Sequence, residues 1–444
     1  MIRICMVGTG YVGLVSGACF ADFGHEVWCV DILEERIAGL QRGEIPFYEP
    51  GLDTMVRKNV GAGRLHFTTS LAEGMERADV VFIAVQTPMS GSGEANLDYV
   101  MQVGAEIGAL LDDYKVIVTK STVPVGTARR LAEVIRGTLR KPVEFDMASN
   151  PEFLREGSSI EDFMRPDRVV IGTETERAEK VMREIYRPLY LLDTPLVRCD
   201  IETAELVKYA SNSFLAVKIS FINEIAALAE RVGADISVIA KAMGLDRRIG
   251  PKFLHAGLGF GGSCLPKDTN AIVKIGQGVD EPMRIVRAAI QVNAELPQRA
   301  LAKARGLVGD LSGRTVALLG LAFKPNTDDI RQAASIPLVR LLLEAGARLR
   351  AYDPVAQDNF RRLFPDLTYC RDAYETAAGA DLCILVTEWN EFRQLDFTHL
   401  AKVMVGDAFL DCRNVYNRQH VGQSGFRYDC FGRPEPRHAE GGAR

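Results

Sequence analysis

Ile2-Arg3-Ile4-Cys5-Met6-Val7-Gly8-Thr9-Gly10-Tyr11-Val12-Gly13 opens the chain and decides how its first half folds. An apolar run that reads as a buried strand enters a glycine turn, and an amphipathic pattern from Tyr11 to Phe23 reads as the following helix. Gly8 permits the tight turn, Gly10 lets the backbone approach a pyrophosphate, and Gly13 lets the helix pack closely on the strand. The phosphates then meet unpaired N–H groups at the helix start, around Tyr11 and Val12. Asp31 ends the next apolar run, eighteen residues past Gly13. A carboxylate there accepts from the adenosine ribose 2′-OH and repels a 2′-phosphate, which favours NAD over NADP. Arg36 reads as a residue flanking the adenine or as a solvated helix position, and an Arg at this place could also accommodate a 2′-phosphate.

The rhythm continues outward from this turn. Val27–Val30, Val80–Ala84, Val116–Thr119 and Phe145–Ala148 read as further buried strands, and Ala128–Arg136 as a helix between them. Such alternation predicts a parallel, doubly wound sheet. From Glu202 to Arg231 the pattern changes: Ala204, Val207, Ala210, Phe214, Val217, Phe221, Ile225 and Leu228 recur at three- and four-residue steps without Gly or Pro. This predicts one long helix, a domain connector and subunit interface. Helical pattern follows over Ile236–Met243, Thr269–Gly276 and Pro282–Ala304. The α/β alternation then resumes with strands at Val316–Leu319, Leu349–Tyr352, Leu382–Val386 and Phe409–Asp411 and a helix over Ile336–Glu344. Its matching turn, Gly320-Leu321-Ala322-Phe323-Lys324-Pro325, has lost the glycine fingerprint.

With 444 residues, 47% hydrophobic and 25% charged, the chain reads as two or three ordinary globular domains. A net charge of −5 and the lack of a Lys/Arg cluster argue against a nucleic-acid partner. Met1–Val7 lacks the pattern of a signal peptide, and no uninterrupted apolar run reaches the ~20 residues of a membrane span, so a cytoplasmic chain without membrane contact is expected. Cysteines 5, 19, 29, 199, 264, 370, 383, 412 and 430 are odd in number and lack metal-ligand spacing, which predicts free thiols and no metal.

One cysteine stands apart. Gly257-Leu258-Gly259-Phe260-Gly261-Gly262-Ser263-Cys264-Leu265-Pro266-Lys267-Asp268 surrounds Cys264 with small residues and sets a charged pair beyond it. The stretch reads either as a nucleophile presented to a substrate or as a tight turn with a small buried cysteine before a helix. Three polar turns also fall where strands end: Val85-Gln86-Thr87-Pro88, Lys120-Ser121-Thr122-Val123-Pro124, and Ser149-Asn150-Pro151-Glu152-Phe153-Leu154-Arg155-Glu156-Gly157. An open α/β sheet builds its ligand crevice at such ends. In the third turn, Glu152 and Glu156 are four residues apart and could share a helical face.

Taken together, GTGYVG, STVPVGT, SNPEFLREG, AELVKYASNSFLA, RRIGPKFL, GFGGSCLPKD and LAFKPNTDDIR resemble the UDP-glucose/GDP-mannose dehydrogenase family from Met1 to about Tyr416. The resemblance implies two Rossmann-like doubly wound domains joined by a long central helix and helical dimerisation region. It divides the chain into an NAD-binding domain at 1–199, a central region at 200–306 carrying Cys264, a nucleotide-sugar domain at 307–432 and a disordered tail at 433–444. It also implies a homodimer or higher homo-oligomer through that helix.

The family chemistry is a four-electron oxidation of a sugar C6 hydroxymethyl to a carboxylate, with two NAD used in succession. On that resemblance Lys208, with a water held by Asp268, assists removal of the hydroxyl proton and Asn212 holds the oxyanion. Cys264 traps the aldehyde as a thiohemiacetal that becomes a thioester, Glu152 assists its hydrolysis, and Thr122 joins the catalytic set. Gly8, Gly10, Tyr11, Val12, Gly13, Asp31, Arg36, Thr87, Thr122, Glu156 and Arg331 are implied for the cofactor. Glu152, Phe153, Leu154, Lys208, Asn212, Arg248, Phe253, Phe260, Gly261, Phe323, Lys324 and Arg413 are implied for the nucleotide sugar, with Arg248 supplied across the dimer. Lys208 with Asn212 could equally form a solvated helix face, and Arg413 could be a surface charge.

His255, Gln86 and Gln332 depart from common family residues without touching the nucleophile. Asp162-Phe163-Met164-Arg165-Pro166-Asp167-Arg168 is typical of members that act on UDP-glucose and not of those acting on GDP-mannose. Two other readings stay open: a sibling acting on GDP-mannose or a UDP-N-acetylhexosamine, and a single-hydride hydroxyacid dehydrogenase that has no use for Cys264.

Overall fold

Residues 1–89 and 95–434 are described, in a computed structural model. They fall into two compact units, one of Met1–Ser211 with Asn270–Glu281, the other of Asn212–Thr269 with the chain from Pro282 onward. The tail expected at 433–444 lies, from 435 on, outside the described residues.

The first unit is built on β1 (Arg3–Val7), β2 (Glu26–Val30), β3 (Leu65–Thr68), β4 (Val80–Ile83), β5 (Lys115–Thr119), β6 (Phe145–Ser149), β7 (Val169–Thr173) and β8 (Leu196–Cys199). They lie in the order β3-β2-β1-β4-β5-β6-β7-β8. All four residues of β4 and all five of β5 are buried, as expected of strands covered by helices on both faces. The order reverses at β1, between β2 and β4, and a ligand crevice forms at such a switch point. The sheet is not wholly parallel as expected: β7 runs antiparallel to β6, pairing Ala148 with Thr173 and Ser149 with Gly172.

The second unit holds β9 (Thr315–Leu319), β10 (Arg348–Tyr352), β11 (Thr368–Tyr369), β12 (Leu382–Leu385), β13 (Ala408–Asp411) and β14 (Arg427–Cys430). Their order, β11-β10-β9-β12-β13-β14, repeats the first six strands of the other sheet, and every pairing is parallel.

The long helix runs from Ile201 to Val232 and buries Ala204, Tyr209, Ala216, Ile222, Ala226 and Ala229. By length and composition it could cross a membrane, contrary to the expectation from the apolar runs. It also carries buried Glu205 and Lys208, each with protein partners, so its apolarity is that of a core helix.

Two further expectations are corrected. The stretch 150–158 is irregular rather than helical, so Glu152 and Glu156 share no helical face; Pro151 lacks a backbone donor and Gly157 takes φ +79°. The helix expected from Thr269 begins at Leu265, because Pro266 suits a first turn where no N–H partner is needed. Lys267 and Asp268 therefore stand inside the first turn, and Cys264 immediately precedes it.

Candidate functional site

At the switch point the glycine turn has the shape that a pyrophosphate needs. A Cβ on Gly13 would stand 1.9 Å from the Gly8 carbonyl oxygen, so helix Tyr11–Asp22 packs onto the turn only because Gly13 has none. At Gly10 a Cβ would meet nothing within 4 Å, which leaves open space beside the first helical N–H groups. These features fit NAD. Asp31, at the end of β2, accepts from Thr9 N at 2.9 Å, Thr9 Oγ1 at 2.8 Å and Leu33 N at 3.1 Å. Arg36 pairs with the same carboxylate at 3.0 Å. Burial would push Asp31 up, but the Thr9 and Leu33 donors and the Arg36 cation hold it below the usual carboxylate range.

Thr87 and Thr122 follow β4 and β5, and Thr87 Oγ1 donates to the Thr122 carbonyl at 3.0 Å. Glu156 is half-buried near the turn at Gly157, whose N–H donates to Glu49 at 2.5 Å. Glu49 also accepts from Tyr11 OH at 2.5 Å and from Ser159 N at 2.8 Å, tying the glycine-turn helix to the end of the SNPEFLREG segment.

Beyond β6, Glu152 meets Lys208. The ammonium donates to Glu152 Oε1 at 2.8 Å and to the Glu152 carbonyl at 2.7 Å, with side chains only 4% and 6% exposed. The second carboxylate oxygen accepts from Leu154 N at 2.6 Å. Burial raises the Glu152 carboxyl, yet the Lys208 cation outweighs it with help from the Leu154 N–H, and the group is held below its ordinary value. Phe153 turns its ring to Arg168, whose guanidinium lies 3.5 Å from the centroid. The solvated-face reading of Lys208 and Asn212 fails, since both are buried. A buried ion pair is a costly arrangement for stability alone and marks a site candidate.

In the second unit Asn212 Nδ2 donates to Asp268 Oδ2 at 2.6 Å, and Lys267 Nζ donates to Asp268 Oδ1 at 2.7 Å. Asp268 is fully buried. Cys264 is half-buried, its carbonyl accepts from Asp268 N at 2.8 Å, and its sulfur lies 3.6 Å from Ser263 Oγ.

The glycines before Cys264 let other parts of this unit approach the loop closely. A Cβ on Gly261 would stand 2.2 Å from the Gln332 carbonyl, and one on Gly262, at φ +85°, would meet the Phe323 ring at 2.7 Å. Their openness is filled by protein, so the loop and the LAFKPNTDDIR segment are brought together within this unit. Gly262 N donates to the Arg331 carbonyl at 2.9 Å, while the Arg331 side chain pairs with Asp329 and is 64% exposed. Lys324 lies 5.3 Å from the Phe323 ring. Arg413 is no free surface charge: it donates to the Val386 and Gly259 carbonyls and pairs with Glu388. Phe260 is buried and Phe253 half-buried with φ +66°. Arg248 pairs with Asp246 and is 88% exposed, so this unit alone does not draw it inward.

The second glycine turn is built differently. Asp353, just past β10, accepts from Leu321 N at 2.7 Å and Ala322 N at 3.0 Å, the donors a pyrophosphate would need. No helix starts there; the next begins at Ser335.

A dinucleotide turn at the switch point of one doubly wound sheet, with a buried acid–base pair beyond its strand ends, defines an NAD-dependent dehydrogenase. Profiles of the UDP-glucose/GDP-mannose dehydrogenase family match the chain in three parts: the NAD binding domain over residues 2–190, the central domain over 202–295 and the UDP binding domain over 317–418. The chain belongs to that family. It is 52% identical to the UDP-glucose 6-dehydrogenase of Rhizobium meliloti over 98% of this chain and 100% of the relative. It is 43% identical to UDP-glucose 6-dehydrogenase TuaD of Bacillus subtilis over 99% and 95%. A UDP-glucose dehydrogenase structure from Pyrobaculum islandicum superposes with a TM-score of 0.89 at 40% identity, covering 94% of this chain and 96% of that one.

Sequence reasoning gave Glu49, Lys120, Glu205 and Asp353 no role. A buried charge is invisible until its partners, here tens of residues away, are known.

Proposed function

We propose that this chain oxidises UDP-glucose to UDP-glucuronate, using two NAD per sugar. The observation that carries the substrate is the 52% identity, over nearly all of both chains, with a UDP-glucose 6-dehydrogenase. NAD would be held on the Gly8–Gly13 turn and at Asp31 and would supply the hydride acceptor for each oxidation. Lys208, in its neutral form and acting through a water on Asp268, assists removal of the C6 hydroxyl proton as hydride leaves and becomes the ammonium, and Asn212 steadies the oxyanion. The Cys264 thiolate adds to the aldehyde carbon; the resulting alkoxide re-forms C=O as the second hydride departs, leaving a thioester. Ionised Glu152 deprotonates the water that cleaves it, returning the thiol and releasing the carboxylate.

The nucleotide sugar is read onto Phe153, Leu154, Phe260, Gly261, Phe323, Lys324 and Arg413. The domain division at 199 and 306, a cytoplasmic location and a homodimer through the long helix belong to the same proposal. Support for the location is that no cysteine among the described residues is in a disulfide. Support for the dimer is an apolar stripe on the helix that this chain leaves uncovered.

The test is to count NADH against UDP-glucose. Two NADH per sugar and UDP-glucuronate by mass spectrometry are expected, and Cys264→Ser should stop before the carboxylate. No turnover of UDP-glucose but two NADH per GDP-mannose would overturn the substrate.

A further inference from the structure

Directly behind the Glu152 segment lies an ammonium group that the proposed chemistry does not use. Lys120 follows β5 and is 2% exposed. Its Nζ donates to Asn150 Oδ1 at 3.0 Å and approaches the Tyr186 hydroxyl at 3.4 Å. Three phenyl rings, those of Phe20, Phe82 and Phe163, surround it at 5.8–6.0 Å. Asn150 is itself fixed: it accepts from Tyr186 OH at 2.6 Å, its amide donates to the Val170 carbonyl at 2.8 Å, and its N–H donates to the Thr119 carbonyl at 2.9 Å.

A cation in such a nest of neutral groups and rings is expensive for folding alone. Asn150 and Tyr186 give it dipoles, and the rings give it the negative faces of their π-systems. The charged or titratable groups that act on it are Glu152, Lys208, the Cys19 thiol and Tyr186. Of these only Glu152 is anionic at neutral pH, and it stands two residues beyond the amide that Lys120 grips.

We infer that Lys120 is a positioning residue: it anchors the Asn150–Glu152 segment to the end of β5 and supplies a second positive charge to the Glu152 carboxylate. The second charge matters because the first one varies. In the proposed function Lys208 assists proton removal, and while it is neutral the Glu152 carboxylate loses its ion-pair partner. A buried carboxylate without a cation would take a proton and could not activate water. Lys120 touches no reacting atom and keeps that carboxylate ionised through the cycle. Burial pulls Lys120 itself down to about 8, so its charge is present at neutral pH and fades in alkaline solution.

This inference rests on the reading of Glu152 as the residue that activates water. The experiment is a pH profile of kcat with UDP-glucose for the full-length enzyme, Lys120→Met and Lys120→Arg. Loss of the charge should move the acid limb of Lys120→Met toward higher pH by about one unit, and Lys120→Arg should restore it at least in part. Intact-mass analysis of Lys120→Met quenched at acid pH should show more sugar bound to the protein than in wild type.

A uniform loss of kcat across pH, with the limb unmoved in a folded Lys120→Met, would reduce Lys120 to packing and overturn the proposal. If that variant does not fold, Asn150→Asp makes the same test by setting a carboxylate against Nζ; the limb must move in the same direction. An unmoved limb there, or failure of both variants to fold, also overturns it. Glu152→Gln separates the underlying reading: if the wild-type acid limb persists in that variant, it is the role of Glu152 that fails.

Discussion

Asp31 shows how much a single carboxylate is asked to do. It closes the glycine turn through Thr9, starts the next segment through Leu33 and holds Arg36, and at the end of β2 it is the carboxylate proposed to meet the ribose. Arg36, which could have met a 2′-phosphate, is engaged by Asp31 instead. Asp31→Asn removes the negative charge and loosens Arg36 together, so both changes favour NADP. The ratio of kcat/KM for NAD over NADP should fall by about tenfold or more, since losing a charge-assisted hydrogen bond costs about 1.5–3 kcal/mol. An unchanged ratio in a folded variant would mean that Asp31 serves the turn and not the choice of cofactor.

At the scale of elements, one turn of the long helix joins two parts of the first unit. Glu205, three residues before Lys208, caps helix Thr127–Thr138 by accepting from Gly126 N at 2.6 Å and Ala128 N at 2.9 Å. That cap fixes the loop carrying Thr122 to the helix carrying Lys208. Burial raises the Glu205 carboxyl from 4.5 to about 7, against the pull of the two N–H donors. Because the folded value lies above the unfolded one, the folded state binds the extra proton. This contribution to stability is complete below about pH 4.5 and is lost as pH rises through about 7. Thermal unfolding followed from pH 5 to 8.5 should therefore show wild type losing about 2 kcal/mol more than Glu205→Gln over that range. Parallel slopes would remove Glu205 as the source.

The elements legible in the sequence were those whose signal is local. The Ile2–Gly13 run, the strand rhythm and the gap-free helix from Glu202 follow from period and punctuation alone, and the structure bears them out within a few residues. The edge strands β3, β8, β11 and β14 were missed because a short edge strand takes its partner from tertiary packing, and β7, buried between β6 and β8, takes its antiparallel direction from the same packing. The site was legible as a set of residue types and less so as geometry. Lys208 with Glu152, Asn212 with Asp268, and Lys120 with Asn150 and Tyr186 are pairs separated by 30 to 66 residues, beyond any pattern of period or spacing. The packing of the loop before Cys264 is equally non-local, since what stands beside Gly262 is Phe323.

At the scale of the whole molecule, two sheets of one strand order divide the labour through one carboxylate each. Asp31 leaves the Gly10 side of its turn open; Asp353 takes the N–H groups of Leu321 and Ala322, and Trp389 Nε1 besides. A dinucleotide therefore has one turn to bind, and the second sheet, which falls in the stretch matched by the UDP binding domain, is left to the nucleotide sugar. What a single chain leaves unfinished is the outer face of the long helix. Phe214, Phe221 and Leu228 recur every seven residues along it and remain 64%, 45% and 55% exposed, with Val232 beside them at 59%. Seven residues are nearly two full turns, so these side chains form one stripe, and a stripe of aromatic and aliphatic groups open to water is the mark of an interface. Phe221→Asp puts a charge at its centre. On the proposed homodimer, light scattering should show the mass falling from two chains to one, and kcat/KM for UDP-glucose should fall with it, because Arg248 stands exposed and is read as serving the neighbouring protomer's nucleotide. Arg248→Ala should reproduce the loss in kcat/KM while leaving the mass at two chains; a fully active monomer of Phe221→Asp would end the case for a shared site.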